Sequence, residues 1–221
     1  MSRVKYFAAL AVIAPLAFAG SNDAPVVALV PAPVPAGAYT VDKAHTSLLF
    51  KVSHLGFSTY TGRFTQVDAR LRFNPDDFAS SSVTVNIDPR SIQADNAPSG
   101  FMQTLAGKDW LDADRFGQMT FKSTAVEVTG PRSFRIRGDL TLHGITRPIT
   151  LDALYNGGYA GFQPYEPRAR VGFSAQGSFK RSDFGVNYGI PAPGTTFGVG
   201  DEVHVVLETE FSGPALATAQ R

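Results

Sequence analysis

Apolar and polar residues alternate in short segments along most of this chain. Residues 62–73, for example, are predicted to form one strand, and their second part, VDARLRF at 67–73, has every second side chain apolar. Successive side chains of a β-strand point to opposite faces of the sheet, so a period of two is typical of a half-buried strand and does not suit a helix. About eight such segments follow one another, separated by turn sequences such as those at residues 74–77 and 130–131 and the predicted hairpin turn at His143-Gly144.

The order of these segments predicts the architecture. Strands with short connections pair as antiparallel neighbours, and closing eight of them into a barrel removes the exposed sheet edges. Only residues 99–106 depart from the pattern, because Phe101, Met102 and Leu105 fall at helical spacing. We therefore predict an all-β fold, an antiparallel eight-stranded barrel with one short helical insertion.

The N-terminus has the features of an export signal. Arg3 and Lys5 precede an apolar run at residues 6–16, and Ala17-Phe18-Ala19 forms a small-x-small cleavage site. We expect a signal peptide at residues 1–19, a Pro/Ala-rich linker at 20–37, a folded domain at 38–213 and a tail at 214–221. The apolar run is too short to span a bilayer comfortably.

Composition excludes several kinds of function. The formal net charge is +1, and it becomes −1 when Arg3 and Lys5 are removed with the signal peptide, so we expect no nucleic-acid partner. The chain has no cysteine, which excludes disulfides, thiolate metal sites and a cysteine nucleophile. The four histidines match no short metal motif, and we expect neither a metal nor a cofactor.

Four segments of the chain resemble one known family. They are YTVDKAHTSLLFKVSHLGFSTYTGRF at residues 39–64, DWLD with the later MTFKS at 109–123, GDLTLHGITRPITL at 138–151, and FKRSDFGVNYG with the later GDEV at 179–203. In this order they resemble the YceI-like family of periplasmic, lipocalin-like barrels that bind polyisoprenoid lipids. The resemblance implies a periplasmic protein that stores or transports an isoprenoid quinone or polyprenyl lipid inside its barrel, with transient membrane contact and a homodimer as further expectations.

An apolar interior suits such a ligand, because each methylene group moved out of water gains about 0.8 kcal/mol. The side chains that share the inward phase are the predicted lining of the binding site. They are Phe50, Val52, Phe73, Val85, Phe121, Phe134, Leu140, Phe173, Phe179 and Val205.

Three polar residues are candidates for contact with the lipid head group. His54 shares the inward phase near a strand end, where it either hydrogen-bonds the head group or, the reading we favour, is a buried histidine satisfied by backbone. Arg181 and Asp183 are predicted to form a polar clasp at one barrel end or to meet the head group. For His45 we predict structural pairing with Asp42.

Two other functions remain open on sequence grounds. An enzyme could use His54 as a general base and Arg181 to hold an anion, although the chain has no nucleophile elbow and no evident pair of catalytic carboxylates. A barrel filled by its own side chains would instead act as a stress or interaction module without a ligand. We expect a binding protein and not an enzyme.

Overall fold

A computed structural model describes residues 34–162 and 164–216. The predicted signal peptide, most of the linker and the end of the tail lie outside these residues. The strands are β1 (Gly37–His54), β2 (Ser58–Phe64), β3 (Val67–Phe73), β4 (Ser82–Ile87), β5 (Ile92–Gln93), β6 (Met119–Val128), β7 (Ser133–Leu142), β8 (Ile145–Tyr159), β9 (Arg168–Lys180) and β10 (Val199–Ala215), and the α-helix is α1 (Phe101–Ala106). Three 3₁₀ turns lie at Phe78–Ser80, Pro89–Ser91 and Arg181–Phe184.

Eight strands close into a barrel. The order around it is β1, β3, β4, β6, β7, β8, β9 and β10, and β10 pairs with β1 to complete the ring. All of these pairings are antiparallel. The predicted fold class is confirmed, including the short helix between β5 and β6. In the part of the chain that the structure describes, no helix has both the length and the apolar character needed to cross a membrane.

The segment at residues 62–73 forms parts of two strands, not the single strand that its alternation predicts. The N-terminal part of β1 pairs with β3 and its C-terminal part with β2. Between β2 and β3, the backbone N–H and the hydroxyl of Thr65 both donate to the carbonyl of Ser91, each at 3.2 Å. These bonds to the 3₁₀ turn replace the strand ladder, so the chain bends at this point.

The predicted turn at His143-Gly144 connects β7 to β8. Both residues have positive φ, +51° and +74°, as a two-residue type I′ hairpin turn requires. Leu142 and Ile145 pair on either side of it. The turn therefore fixes the register of two long barrel strands.

The barrel interior has two halves. One half is filled, because Phe73 packs against Tyr39, Tyr155, Phe78 and Phe173 with ring centroids 5.5–5.9 Å apart. We call these five residues, together with Phe134 on Phe78 at 4.7 Å, the aromatic cluster. In the other half, the apolar side chains of a second core cluster line the wall. The barrel is thus closed at one end.

Candidate functional site

The second half of the barrel encloses a cavity of about 580 Å³. Its wall is made by inward side chains of the barrel strands, and its upper side by α1 and the segments at residues 95–98 and 110–111. Leu48, Met119, Leu142, Ile149 and Leu151 are among the apolar lining residues. The volume falls within the range of small-molecule sites, roughly 300–1,000 Å³. The structure therefore offers an apolar chamber of ligand size.

Most of the predicted site residues meet at this cavity. Those that line it are His54, Phe50, Val52, Val85, Phe121, Leu140, Phe179, Arg181 and Val205. The wall is tight where β1 and β2 pair, since Phe50 lies over Gly62 and a Cβ at Gly62 would collide with its ring. A bare backbone at this position lets the ring lie flat along the wall.

Three predicted lining residues lie elsewhere. Phe73, Phe134 and Phe173 do face inward, but they belong to the filled half and do not line the cavity. Alternation along a strand distinguishes the inward face from the outward face, and it carries no information on the height of a residue along the barrel axis. Their role is to close the far end of the chamber.

Asp183 is also misplaced by the prediction. It is exposed and lies in a separate polar groove on the outer face of β8, β9 and β10, together with His204 and Gln176. The carboxylate that holds this turn is Asp201, which accepts from the backbone N–H of Ser182 at 2.9 Å and from its hydroxyl at 2.8 Å. The prediction that Asp183 is the acidic partner of Arg181 in a clasp is therefore wrong.

Arg181 forms a clasp of a different kind. Its side chain is 4% exposed, and it donates to the carbonyls of Gly200, Val186, Tyr188 and Val199 at 2.8–2.9 Å. Burial lowers the pKa of this guanidinium, and Asp201 acts in the opposite direction. Its carbon centre lies 5.3 Å from the ring centroid of Trp110, a cation–π distance. Arg181 thus fastens the loop at residues 185–199 beside the cavity, and four of its five N–H donors are engaged by backbone.

His54 lies at the mouth of the cavity, which we define by its exposed lining residues His54, Asp95, Asn96 and Pro98. The favoured prediction of a buried histidine is wrong. The inward phase does continue to His54, which lines the cavity with Phe50 and Val52, but β1 ends at the open mouth and leaves the side chain exposed. A side chain at this place can meet only the part of a ligand that remains near solvent.

The prediction missed the residues that cover the chamber. Phe101 and Leu105 of α1, Trp110 after it, and Tyr60 of β2 all line the cavity. Among the residues that the structure describes, the buried Tyr60 hydroxyl has no hydrogen-bond partner. Burial raises the pKa of Tyr60, and its ring packs edge-on against Phe101 with ring centroids 6.2 Å apart. The helical spacing at residues 101–105 does indicate an amphipathic helix in the sequence. It does not indicate that this helix lies over the cavity.

A polar cluster lies on β1 and its neighbours, away from the cavity lining. Asp42 accepts from Arg170, and it pairs with His45 at 3.0 Å as predicted. Arg170 also lies 3.1 Å from Glu166 and 3.4 Å from Glu210. Oxygen and nitrogen atoms of Asp42, His45 and Glu210 lie close enough together to hold a metal ion, but the guanidinium already supplies the positive charge there. We assign this cluster a structural role.

Sequence comparison gives consistent relatives. A family model described as the YceI-like domain matches residues 39–211. A UPF0312 protein of Vibrio cholerae is 39% identical over 150 residues, which is 67% of this chain and 77% of the relative. A UPF0312 protein of Vibrio vulnificus is 37% identical over 178 residues, 80% of this chain and 89% of the relative.

Solved structures share the same architecture. The crystal structure of Burkholderia cenocepacia BcnA covers 77% of this chain and 98% of its own, with a TM-score of 0.66 and 26% identity. The Campylobacter jejuni YceI protein covers 80% of this chain with a TM-score of 0.62 and 28% identity. A polyisoprenoid binding domain from Saccharophagus degradans has a TM-score of 0.58 at 12% identity, covering 81% of this chain and all of its own.

Proposed function

Because the chain belongs to the YceI-like family and its barrel is hollow at one end only, we propose that it binds one long isoprenoid lipid, tail first, in the cavity. The observation that carries the proposal is the combination of an apolar wall, an open mouth and a closed far end. The Saccharophagus degradans domain contributes only the shared fold, since its identity is 12%. The ligand class is therefore inferred from the chamber and the family.

The size of the chamber sets how much tail it can hold. If each heavy atom of a tail takes roughly the 30 Å³ of a liquid water molecule, 580 Å³ holds roughly 20 carbons, or four isoprene units. Each methylene that leaves water contributes about 0.8 kcal/mol, so a tail of this length outweighs the cost of immobilising it. A longer tail would have to project through the mouth.

The polar head would remain at the mouth. His54, Asp95 and Asn96 are the exposed polar groups there, whereas Arg181 has committed four donors to backbone carbonyls. We infer that affinity comes from the tail and that the head group is held only loosely. An isoprenoid quinone and a polyprenyl lipid both meet this description.

The cellular setting is part of the same proposal. The export signal inferred at residues 1–19 would deliver the folded domain to the periplasm, where it would store or transport the lipid. A lipid of this kind resides in membranes, so the protein must contact a bilayer, at least transiently, to load. Homodimer formation stays a prediction.

The two alternatives fare differently. The cavity supports a ligand-binding barrel over one that is filled by its own side chains. For the enzyme, the supposed base His54 is exposed at the mouth, and the supposed anion binder Arg181 faces backbone oxygens. Neither residue is placed as an activated catalytic group in a closed site, which supports binding over catalysis.

The direct test is the identity of the bound molecule. We expect that an organic extract of the protein, purified from the periplasm of its native host, contains an isoprenoid lipid at about one molecule per chain by mass spectrometry. A second measurement uses Trp110, the single tryptophan, as a reporter inside the cavity. Titration of the delipidated protein with a short-chain isoprenoid quinone should quench its fluorescence saturably.

A matched aromatic residue provides the control. Phe121→Asp places a charge in the cavity wall and should abolish quenching, whereas Phe162→Asp changes an exposed phenylalanine near the closed end and should leave it intact. Circular dichroism verifies that both variants fold. An extract without isoprenoid, together with no saturable quenching in the unmodified protein, would rule the proposal out.

A further inference from the structure

Three large aromatic side chains project into solvent on the loops beside the mouth. Phe57 is 83% exposed, Phe197 80% and Tyr188 57%. Exposed aromatic residues grouped together on a protein surface mark sites of interaction with another apolar surface. We call these three residues the aromatic rim.

The loops that carry the rim are joined to each other and to the cavity. Leu55 lies in the same turn as Phe57, and its backbone N–H donates to the carbonyl of Gly198, the residue after Phe197, at 2.8 Å. Tyr188 packs on the cavity residue Trp110 with ring centroids 5.3 Å apart. The rim therefore stands next to the opening through which a ligand would pass.

The same loops lack charge. Residues 55–62 and 184–200 contain no Asp, Glu, Lys or Arg, and the second stretch adds Ile190, Pro191 and Pro193 to the apolar surface. The exposed aromatics at the closed end differ, because Phe162 and Tyr165 lie beside Glu166 and Arg168. Charge-free, aromatic loops suit the interface of a bilayer, where a charged group would have to keep its water.

We propose that the aromatic rim docks the protein mouth-down on the surface of a lipid bilayer, with Phe57 and Phe197 inserted among the acyl chains. This inference rests on the proposed function, since the docked orientation places the mouth where an isoprenoid tail resides. Two phenylalanines supply weak, reversible attachment, since even a single myristoyl chain gives only marginal membrane binding. A carrier that must leave the membrane after loading needs attachment of this strength.

The test measures binding to vesicles of phosphatidylcholine by co-sedimentation. We expect Phe57→Ser/Phe197→Ser to lower the partition coefficient at least tenfold. The matched control, Phe162→Ser/Tyr165→Ser, removes two exposed aromatics near the closed end and should change it less than twofold. Because the rim has no charge, binding should be nearly the same at about 0.05 M and 0.5 M salt.

A second measurement separates this inference from the proposed function. Quenching of Trp110 by a short-chain isoprenoid quinone added from ethanol should be unchanged in Phe57→Ser/Phe197→Ser, while uptake of the same quinone from vesicles slows at least tenfold. Equal vesicle binding by the two double variants would overturn the inference, and so would binding lost on adding salt. If these substitutions instead change the mass of the protein in sedimentation but leave vesicle binding unchanged, the rim contacts a protein partner or a second copy. That result would also overturn the inference.

Discussion

Substitution of Arg181 by alanine tests whether this residue is a structural clasp or a contact for the lipid. The guanidinium donates four hydrogen bonds to backbone carbonyls at 2.8–2.9 Å, and only the one to Val186 is fully buried. Bonds from a charged donor contribute about 1.5 kcal/mol each at the low end of their range, so the four together represent about 6 kcal/mol before any replacement by water. Water can replace the guanidinium at the three partly buried carbonyls, so we expect a net loss of about 3 kcal/mol.

The assay is urea unfolding at neutral pH, followed by hydrogen exchange in native conditions. Arg181→Ala should lower the free energy of unfolding by this amount, a large share of the roughly 5–15 kcal/mol of an ordinary domain. The backbone amides of residues 185–199 should lose protection first, because this is the loop that the clasp holds. Arg132→Ala is a suitable control, since that exposed arginine makes one bond to a carbonyl, that of Tyr155 at 2.7 Å, and should cost less than about 1 kcal/mol.

One pattern of results would refute this reasoning. If Arg181→Ala unfolds within about 1 kcal/mol of the unmodified protein and the loop keeps its protection, the four hydrogen bonds do not hold the loop. If quinone binding then falls while the fold is intact, the arginine serves the ligand, which is the second of the two alternatives that the sequence leaves open. A stability loss with the loop deprotected assigns it to the fold.

Three further substitutions have distinct expected outcomes. Val205→Phe adds a ring inside the cavity and should reduce quinone uptake several-fold in the Trp110 quenching assay. Val206→Phe adds the same ring on the outer face and should leave uptake unchanged. Equal uptake by both variants would mean that the tail lies elsewhere. Tyr60→Phe removes a buried hydroxyl that has no hydrogen-bond partner in the described part of the chain, and such burial costs about 1–3 kcal/mol. Thermal unfolding should therefore show unchanged or increased stability, and a clear loss would reveal a hydrogen bond to this hydroxyl. Hydrogen bonding from Arg170, then from His45, lowers the pKa of Asp42 from 3.8 to about 2. The stability that this depressed pKa supplies is present above pH 4 and is lost as the pH falls towards 2. Asp42→Asn should therefore lower the free energy of unfolding by about 2 kcal/mol at pH 7 and make it less dependent on pH between 4 and 2. An unchanged acid unfolding profile would contradict the pairing of Asp42 with Arg170.

The sequence predicts the strands well because their information is local. The alternation at residues 119–128 gives β6 with its observed bounds, and His143-Gly144 gives a turn whose two positive φ angles need no distant contact. The strand and the turn each depend on neighbours a few residues away. The eight-stranded closure, which the pairing of β1 with β10 completes, is long-range, and it is predicted on the separate ground that closing the barrel removes exposed sheet edges.

The site was only partly predictable, because it depends on relations between distant strands. Phe121 and Phe73 have the same inward phase, yet one lines the chamber and the other fills the opposite half. Their heights follow from the register of all eight strands, which no single segment contains. The exposure of His54 was unpredictable for a related reason, because the position of the open mouth depends on how the other strands and residues 95–98 are arranged around the end of β1. The role of Arg181 required knowledge that residues 185–199 fold back over it.

The aromatic cluster closes one end of the chamber, and this closure affects the kinetics of ligand exchange. In a tube that is open at both ends, an incoming molecule can push the resident out ahead of it. Here the wall formed by Phe73, Tyr155 and their neighbours removes that route, so one opening serves both arrival and departure. The bound ligand must dissociate before another can enter. The rate of exchange is then set by dissociation of the bound ligand and does not rise with the concentration of free ligand.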